Sequence, residues 1–509
     1  MAEKRPISAT ARGARAVPIL PILLQRLAAE GLRYGVYKNV ALLDRAAVGA
    51  MDFDLIVHSE DASSFRAIMI DLGGVQASCS RLYDNAVSGR EDWFVPDTAG
   101  TALHFDVSFG LRIGPKFNKR YLALGFEDIS DWQNRLFADA PIPVVSGVEA
   151  ARIAILRSIF SLSSLTMNGW ARLDCASEAL LADLIPVDVK TQDFHYRLAD
   201  REIVCQVRRQ SGGFAIPGKT VRQMRSALRS GAMPSSILAP LTDLVFHGVR
   251  KATFAVLRRL SRHDPTRNAA KRKLSPRGIV VALIGPDGVG KSTQTSRLQA
   301  MFGERFRCGR VYLGSNDGAW MAWRGRLRSA FARLRSARSQ SDDHVSRSGG
   351  GKLSYRKAFS RAVWRLVIAV QRRAALRKCQ QLADRGVIVI ADRWPQDLRR
   401  GYLDGPSTPP PEDMKLPSWL WRIEDRLYAG MARHRPDVTI HLDCDFATSN
   451  GRKPGDISEA AFELRVALMR EMRERDVDVK VVDARQEIDA VTAELWRWVW
   501  FAMNWAQKR

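Results

Sequence analysis

Continuous, alternating and helically spaced apolar runs follow one another along this chain, and each predicts a different element. The stretches Ile279–Ile284 and Gly386–Trp394 are almost unbroken apolar runs, the pattern of strands buried on both faces of a parallel sheet. Arg310–Gly314, Pro436–Asp443 and Val479–Ala484 are further strand candidates, and the segment from Lys291 through Met301 reads as the start of a helix. This βα alternation predicts an α/β domain over residues 278–509, a doubly wound parallel sheet with helices on both faces. One of its helices is expected to bury a face running through Val363, Leu366, Val367, Val370 and Ala374, with Arg372 and Arg373 near its middle. In the closing helix, spacing sets Trp498, Phe501 and Trp505 along one side and Trp496, Trp500 and Met503 along the next. That is more than one sheet-facing stripe covers, and packing within the chain is expected to take the remainder.

Earlier in the chain the period is different. Ala50–Val57 alternates with period two, which puts Asp52 and Asp54 on one face of a strand and Phe53 and Leu55 on the other. Leu103–Phe109 is a second such strand, with Asp106 flanked by apolar neighbours. From Val148 to about Leu184 helical spacing dominates, as at Ala151, Ile155, Ile159 and Leu162. These patterns predict an α+β domain with a helical appendage over residues 20–215, after a basic tail at 1–19.

Length and charge alter the picture between these parts. A chain of 509 residues exceeds one ordinary core and fits two or three domains. Residues 216–277 crowd Arg222, Arg225, Arg250, Arg258, Arg259, Lys271, Arg272 and Lys273 and read as a basic linker holding one or two helices. The arginine run from Arg324 to Arg338 leads into the glycine tract Ser346–Lys352, which reads as a loop because no apolar strand precedes it. The net charge of +25 gives a positive field suited to nucleotides, nucleic acid or an anionic membrane, and a homo-oligomer is compatible with it. For the linker a solvated surface is the first reading, and a nucleic-acid or membrane footprint the second.

The six cysteines show no Cys-x-x-Cys spacing, so neither a disulfide framework nor a zinc site is indicated. No uninterrupted apolar span of about 20 residues is present. The prolines at 18 and 21 argue for a tail and first helix over a secretory signal, and a cytoplasmic location is expected.

The strand at 279–284 runs into Gly285-Pro286-Asp287-Gly288-Val289-Gly290-Lys291-Ser292-Thr293, a G-x-x-x-x-G-K-S pattern between strand and helix. Glycines at 285, 288 and 290 let successive N–H groups point inward to phosphate oxygens at a helix N-terminus. Lys291 would neutralise the β- and γ-phosphates, and Ser292 would hold Mg²⁺ through its hydroxyl. Asp392 and Arg393 end a parallel strand and so arrive at the carboxyl edge of the sheet, where ligands bind.

With Asp392-Arg393, Arg435-Pro436-Asp437, Ile440-His441-Leu442-Asp443 and Val482-Asp483-Ala484, the loop resembles the thymidylate kinase-like branch of P-loop nucleotide kinases over residues 278–509. The resemblance implies ATP and Mg²⁺ as cofactors, Asp392 as a carboxylate associated with Mg²⁺, and Arg393 and Arg372 as contacts to an acceptor phosphate. It also implies a lid carrying Arg452 or Lys453. The family's Arg-Glu-Pro-Gly and Ser…Ala-Tyr-Gln segments are replaced here by Tyr312–Asn316 and Pro395–Tyr402, so the acceptor is left open among nucleotides and other phosphate- or hydroxyl-bearing small molecules.

The Asp52-x-Asp54 strand with Asp106 is the way a carboxylate cluster for paired divalent ions is built. It resembles the nucleotidyltransferase superfamily related to DNA polymerase β over roughly residues 20–190, which implies all three aspartates as metal ligands. That superfamily's Gly-Gly or Gly-Ser pair is replaced by Val36-Tyr37-Lys38-Asn39-Val40. The leading expectation is ATP-dependent phosphoryl transfer to a small acceptor. The alternative is a nucleotidyltransferase-linked regulatory protein whose ATP site gates binding of an anionic partner.

Overall fold

The computed structural model describes residues 17–78, 89–97, 100–113, 122–137, 140–159, 170–172, 175–198, 201–210, 213–224, 239–314, 355–408, 416–455, 457–475 and 479–509. The expected tail through residue 16, Leu162, the arginine run and the glycine tract lie outside them. The chain divides into two units, Met1–Ser275 with Gln507–Arg509, and Pro276–Ala506.

The first unit is built on strands β1 (Tyr34–Val36), β2 (Asp52–Val57), β3 (Val75–Ser78), β4 (Arg90–Pro96), β5 (Ala102–Ser108), β6 (Leu111–Ile113), β7 (Leu122–Leu124), β8 (Trp132–Phe137) and β9 (Ala140–Val145). Strands β6 and β7 pair with each other, and the rest join β14 (Lys273–Leu274) in an eight-stranded mixed sheet ordered β14-β3-β4-β5-β2-β1-β9-β8. Residues 216–277, expected as a linker, thus supply an edge strand of this sheet. Alternation along β2 behaves as read: Phe53 and Leu55 pack with Leu20, Leu23 and Leu27 of α1 (Ile19–Ala29) and Phe65 and Met69 of α2 (Ala62–Asp71). Ile56, on the face of Asp54, belongs instead to a second core with α3 (Gly147–Ile159) and α4 (Cys175–Leu184).

The helical spacing from Val148 to Leu184 is interrupted by a strand, β10 (Trp170–Arg172). It pairs with β13 (Gly213–Pro217), which continues through β12 (Arg201–Gln210) to β11 (Thr191–Leu198) in an antiparallel sheet. The sequence reading missed this sheet because polar residues dominate its strands, and only residues such as Phe194, Tyr196, Cys205 and Val207 enter the core. Further on, α5 (Ala239–Leu260) exposes Val249, Val256, Leu257 and Leu260 together with Arg258 and Arg259.

In the second unit, β15 (Ile279–Ile284), β16 (Cys308–Tyr312), β17 (Ile388–Asp392), β18 (Val438–Asp443) and β19 (Val479–Asp483) form an all-parallel sheet ordered β16-β17-β15-β18-β19. Every residue of β15 and β17 is buried, as the unbroken apolar runs require. Helices α6 (Lys291–Gly303), α7 (Tyr355–Asp384), α8 (Trp419–Ala432), α9 (Phe446–Arg452), α10 (Glu459–Arg475) and α11 (Ile488–Lys508) complete the unit.

The buried face of α7 differs from the expected one. Val363 and Val370 are 37% and 56% exposed, and Ala374 is also exposed. Ala369, Leu376, Cys379 and Ala383 pack instead against Val280, Ala282, Val389 and Ala391 of the sheet. Leu376 and Leu382 fill the same face, and the two valines lie off it. This rotation buries Arg372 and leaves Arg373 exposed.

Among the described residues no helix is long and apolar enough to cross a membrane.

Candidate functional site

The phosphate loop follows directly from β15. Gly288 and Gly290 have φ of +84° and +98°, and a Cβ on Gly288 would stand 2.6 Å from the Ser449 hydroxyl, so this turn requires glycine. Lys291, buried at the first turn of α6, donates to the carbonyls of Gly285 at 2.9 Å and Pro286 at 2.7 Å. Burial pushes its ammonium down to about 8, with Arg393 adding to the effect and Asp287 and Asp392 opposing it.

Parallel pairing sets Leu283 opposite Asp392, which brings the end of β17 beside the loop. The Ser292 hydroxyl and the Arg310 guanidinium each donate to Asp392 Oδ2 at 2.9 Å. Asp392 is 1% exposed, and its Oδ1 is buried without a hydrogen-bond partner. A buried carboxylate oxygen left unpaired is costly, and a divalent cation beside the Ser292 hydroxyl would satisfy it. These residues fit Mg²⁺.

Arg393 has φ of +75° and bridges two carboxylates, donating to Asp287 Oδ1 at 2.6 Å and to Asp404 Oδ2 at 3.2 Å. Arg465 of α10 also binds Asp287. Burial pushes the Asp287 carboxyl up, but the charges of Arg393, Lys291 and Arg465 outweigh it and hold it at about 2.

The structure therefore brings together Gly285, Asp287, Gly288, Val289, Gly290, Lys291, Ser292, Asp392 and Arg393, with Thr293 exposed on the first turn of α6. Arg372 reaches the cluster through Asp404. The Arg452 guanidinium donates to the Val289 carbonyl at 3.3 Å and the Ala484 carbonyl at 2.8 Å.

Arg310, Asp404 and Arg465 were not among the site residues expected from the sequence, where Arg310 stood only at the start of a strand candidate. Arg310 had a signal, since a charge inside a short apolar strand needs a partner. Asp404 and Arg465 had none, being brought in by a loop and by one of many arginine-bearing helices.

The first unit also gathers its three predicted aspartates: β2 and β5 pair in parallel with Asp54 opposite Asp106, and single oxygens of Asp52, Asp54 and Asp106 lie within 4.8 Å of one another. Both oxygens of Asp54 are occupied, by Lys38 Nζ at 3.1 Å and Asn39 Nδ2 at 2.7 Å. Arg90 donates to both oxygens of Asp106. Burial, chiefly, holds the Asp106 carboxyl above its ordinary range. Next to them, burial pushes the Asp92 carboxyl up, but the hydrogen bond from His104 and the charge of Arg272 hold it at about 2.

The lysine and asparagine that stand where the superfamily has glycine thus cover the carboxylate with a cation and an amide. A metal ion would have to displace Lys38 and compete with Arg90, so these residues do not fit the implied ion pair. Without nucleotide, millimolar Mn²⁺ is expected to shift the thermal unfolding of the whole chain no more than that of Asp54→Asn. Lys38→Met, which uncovers Asp54, is expected to make the melting temperature rise with Mn²⁺. A larger Mn²⁺-dependent rise in the unaltered chain than in Asp54→Asn, read by calorimetry, would return the aspartates to metal binding.

No family model matches the chain. It is 32% identical over 214 residues to the Escherichia coli (strain K12) uncharacterised ATP-binding protein YghR, a match covering 40% of this chain and 81% of that protein. It is 27% identical over 219 residues to the uncharacterised ATP-binding protein YghS of the same strain, covering 42% and 88%. Among solved structures, thymidylate kinase from Candida albicans is similar at 18% identity and a TM-score of 0.27, covering 45% of this chain and 93% of that one.

Proposed function

Because the chain belongs to the family of Escherichia coli YghR, we propose that Pro276–Ala506 binds ATP with Mg²⁺ and transfers its terminal phosphoryl group to a small-molecule acceptor. The observation that carries this reading is the coupling of the glycine loop and Lys291 to a Ser292–Asp392 pair with one buried carboxylate oxygen unmatched. Phosphoryl transfer asks a protein mainly to position the reactants and neutralise charge. The loop's N–H groups and Lys291 would hold the β- and γ-phosphates, and Arg393 would meet charge on the moving group. Ser292 and Asp392 would hold Mg²⁺, which would supply neutralisation of phosphate charge during transfer.

The test is calorimetric titration with ADP and Mg²⁺ followed by a screen of acceptors with labelled ATP. Tight ADP binding with label transferred to an acceptor is the expected result, and no binding would sink the reading. The exposed basic and apolar surface of α5 favours a second reading, in which ATP occupancy gates contact with an anionic surface. Binding without turnover on any acceptor would support that reading instead.

A further inference from the structure

Along α5, every side chain from Gly248 to Leu260 except those of Arg250 and Phe254 is exposed. At about 100° per residue, Val249, Val256 and Leu260 fall within an arc of roughly 40°, and Leu257 lies about 60° further round. Val249, Val256, Leu257 and Leu260 are 58%, 55%, 43% and 77% exposed, so the stripe stands open to water. Thr253 falls inside the same arc, and its hydroxyl donates to the Val249 carbonyl at 2.8 Å, which satisfies that donor within the helix. A contiguous apolar stripe left exposed beside charged residues marks an interaction surface.

The rest of the helix is basic. Lys251 and Arg258 lie opposite the stripe, Arg250 and Arg259 flank it on its two sides, and the sequence of α5 carries a single acid, Asp243. Its C-terminal end is tied down: the Ser261 hydroxyl donates to the Leu257 carbonyl and accepts from the Ala269 N–H at 3.1 Å, in a turn that leads into the edge strand β14. The first unit thus holds one end of the helix while the stripe stays uncovered.

We infer that α5 attaches the protein to an anionic lipid bilayer, lying in the plane of the interface with the stripe among the acyl chains and the flanking arginines at the phosphate headgroups. A bilayer offers an anionic plane and an apolar interior together, and the helix presents the complement of both. A nucleic acid would meet the guanidinium groups but leave the valines and leucines wet, and aliphatic side chains cannot stack on bases. A second copy of the chain would bring the same arginines against these, like charge to like. No helix among the described residues is long and apolar enough to cross a membrane, so the attachment is peripheral and reversible. This makes lipid the anionic surface of the second reading of the ATP site, yet it stands without ATP gating, because α5 belongs to the first unit.

The test is flotation of the full-length chain with vesicles of phosphatidylcholine alone and of phosphatidylcholine mixed equally with phosphatidylglycerol. Binding to the mixed vesicles and little to the neutral ones is expected. A chain of net charge +25 is drawn to anionic vesicles in any case, so the deciding variant keeps the charge: Val256→Ser combined with Leu260→Ser. It is expected to bind the mixed vesicles at least about 10-fold more weakly, with its melting temperature unchanged because both side chains are exposed in the free chain. Arg258→Gln combined with Arg259→Gln is expected to weaken binding as well and to make it less sensitive to salt. Unchanged affinity in the serine variant, or equal binding of the unaltered chain to both kinds of vesicle, overturns the inference. So does binding to duplex DNA or RNA that displaces the vesicles and is untouched by the serines, or self-association without lipid that the serines abolish. Equal vesicle binding with and without ADP and Mg²⁺ removes the gating of the second reading and leaves the lipid attachment standing.

Discussion

Lys291→Ala is expected to lower ATP turnover by about 10³-fold or more while leaving the fold intact, because the side chain acts on the ligand and the loop is shaped by its glycines. Without nucleotide the buried ammonium is held by the Gly285 and Pro286 carbonyls, and burial keeps it down at about 8. Phosphate oxygens arriving in the loop favour the charged form, so binding should draw a proton onto Lys291 near pH 8–9. Binding enthalpies measured at that pH in buffers of different ionisation heat should therefore differ for the unaltered chain and agree for Lys291→Ala.

The sign for stability is the opposite of the usual lysine case. The folded value of about 8 lies below the ordinary one, so between the two the unfolded chain binds more protons. The penalty is fully present below about pH 8 and fades as pH rises toward the ordinary lysine range, so the free chain gains stability from this group across that window. Unchanged turnover in Lys291→Ala would remove the basis for the kinase reading.

What the sequence disclosed and what it withheld divide along a physical line. Continuous apolar runs identified β15 and β17, because strands buried on both faces have no polar positions to confuse the pattern. The loop residues and the Asp392-Arg393 pair were legible because phosphate binding demands particular residue types at fixed spacing. Period two along β2 and β5 was enough to bring Asp52, Asp54 and Asp106 together. It could not show that Lys38 and Arg90 would cover two of them, since Arg90 reaches Asp106 only across the antiparallel pairing of β4 with β5. The face of α7 was misjudged because side-chain hydrophobicity favoured Val363 and Val370, whereas the face that meets the sheet mixes Ala369, Cys379 and Ala383 with Leu376 and Leu382. Asp404 was invisible because its place depends on left-handed backbone at Leu403 and Asp404 that no residue type there advertises.

Trp500→Ala is expected to destabilise the second unit by about 3–5 kcal/mol, the range for emptying a large aromatic site in a core. The two aromatic sides of α11 separate as the helical spacing predicts, but the expected packing within the chain does not cover the second one: Trp496 and Trp500 are buried, while Phe501 and Trp505 are 51% and 45% exposed. Trp500 stacks on Trp496 with centroids 5.2 Å apart and meets Phe302 and Phe306 at 6.0 Å each. Phe302 lies near the end of the helix whose first turn carries Lys291, and further along that helix Gln294 accepts from the Thr492 hydroxyl at 2.8 Å. The tryptophans of α11 thus anchor the helix that presents the phosphate loop. Losing the Trp500 ring removes its burial and its aromatic contacts together, each pair adding roughly 0.5–1.5 kcal/mol to the area term. Phe501→Ser, on the exposed side, should cost no more than about 1 kcal/mol, because it uncovers little that is not already wet. Denaturant unfolding of both variants, followed by tryptophan fluorescence and circular dichroism, reads the difference. Equal costs for the two substitutions would mean that the buried stack does not hold this helix, and that the exposed pair is covered by a surface the chain itself does not supply.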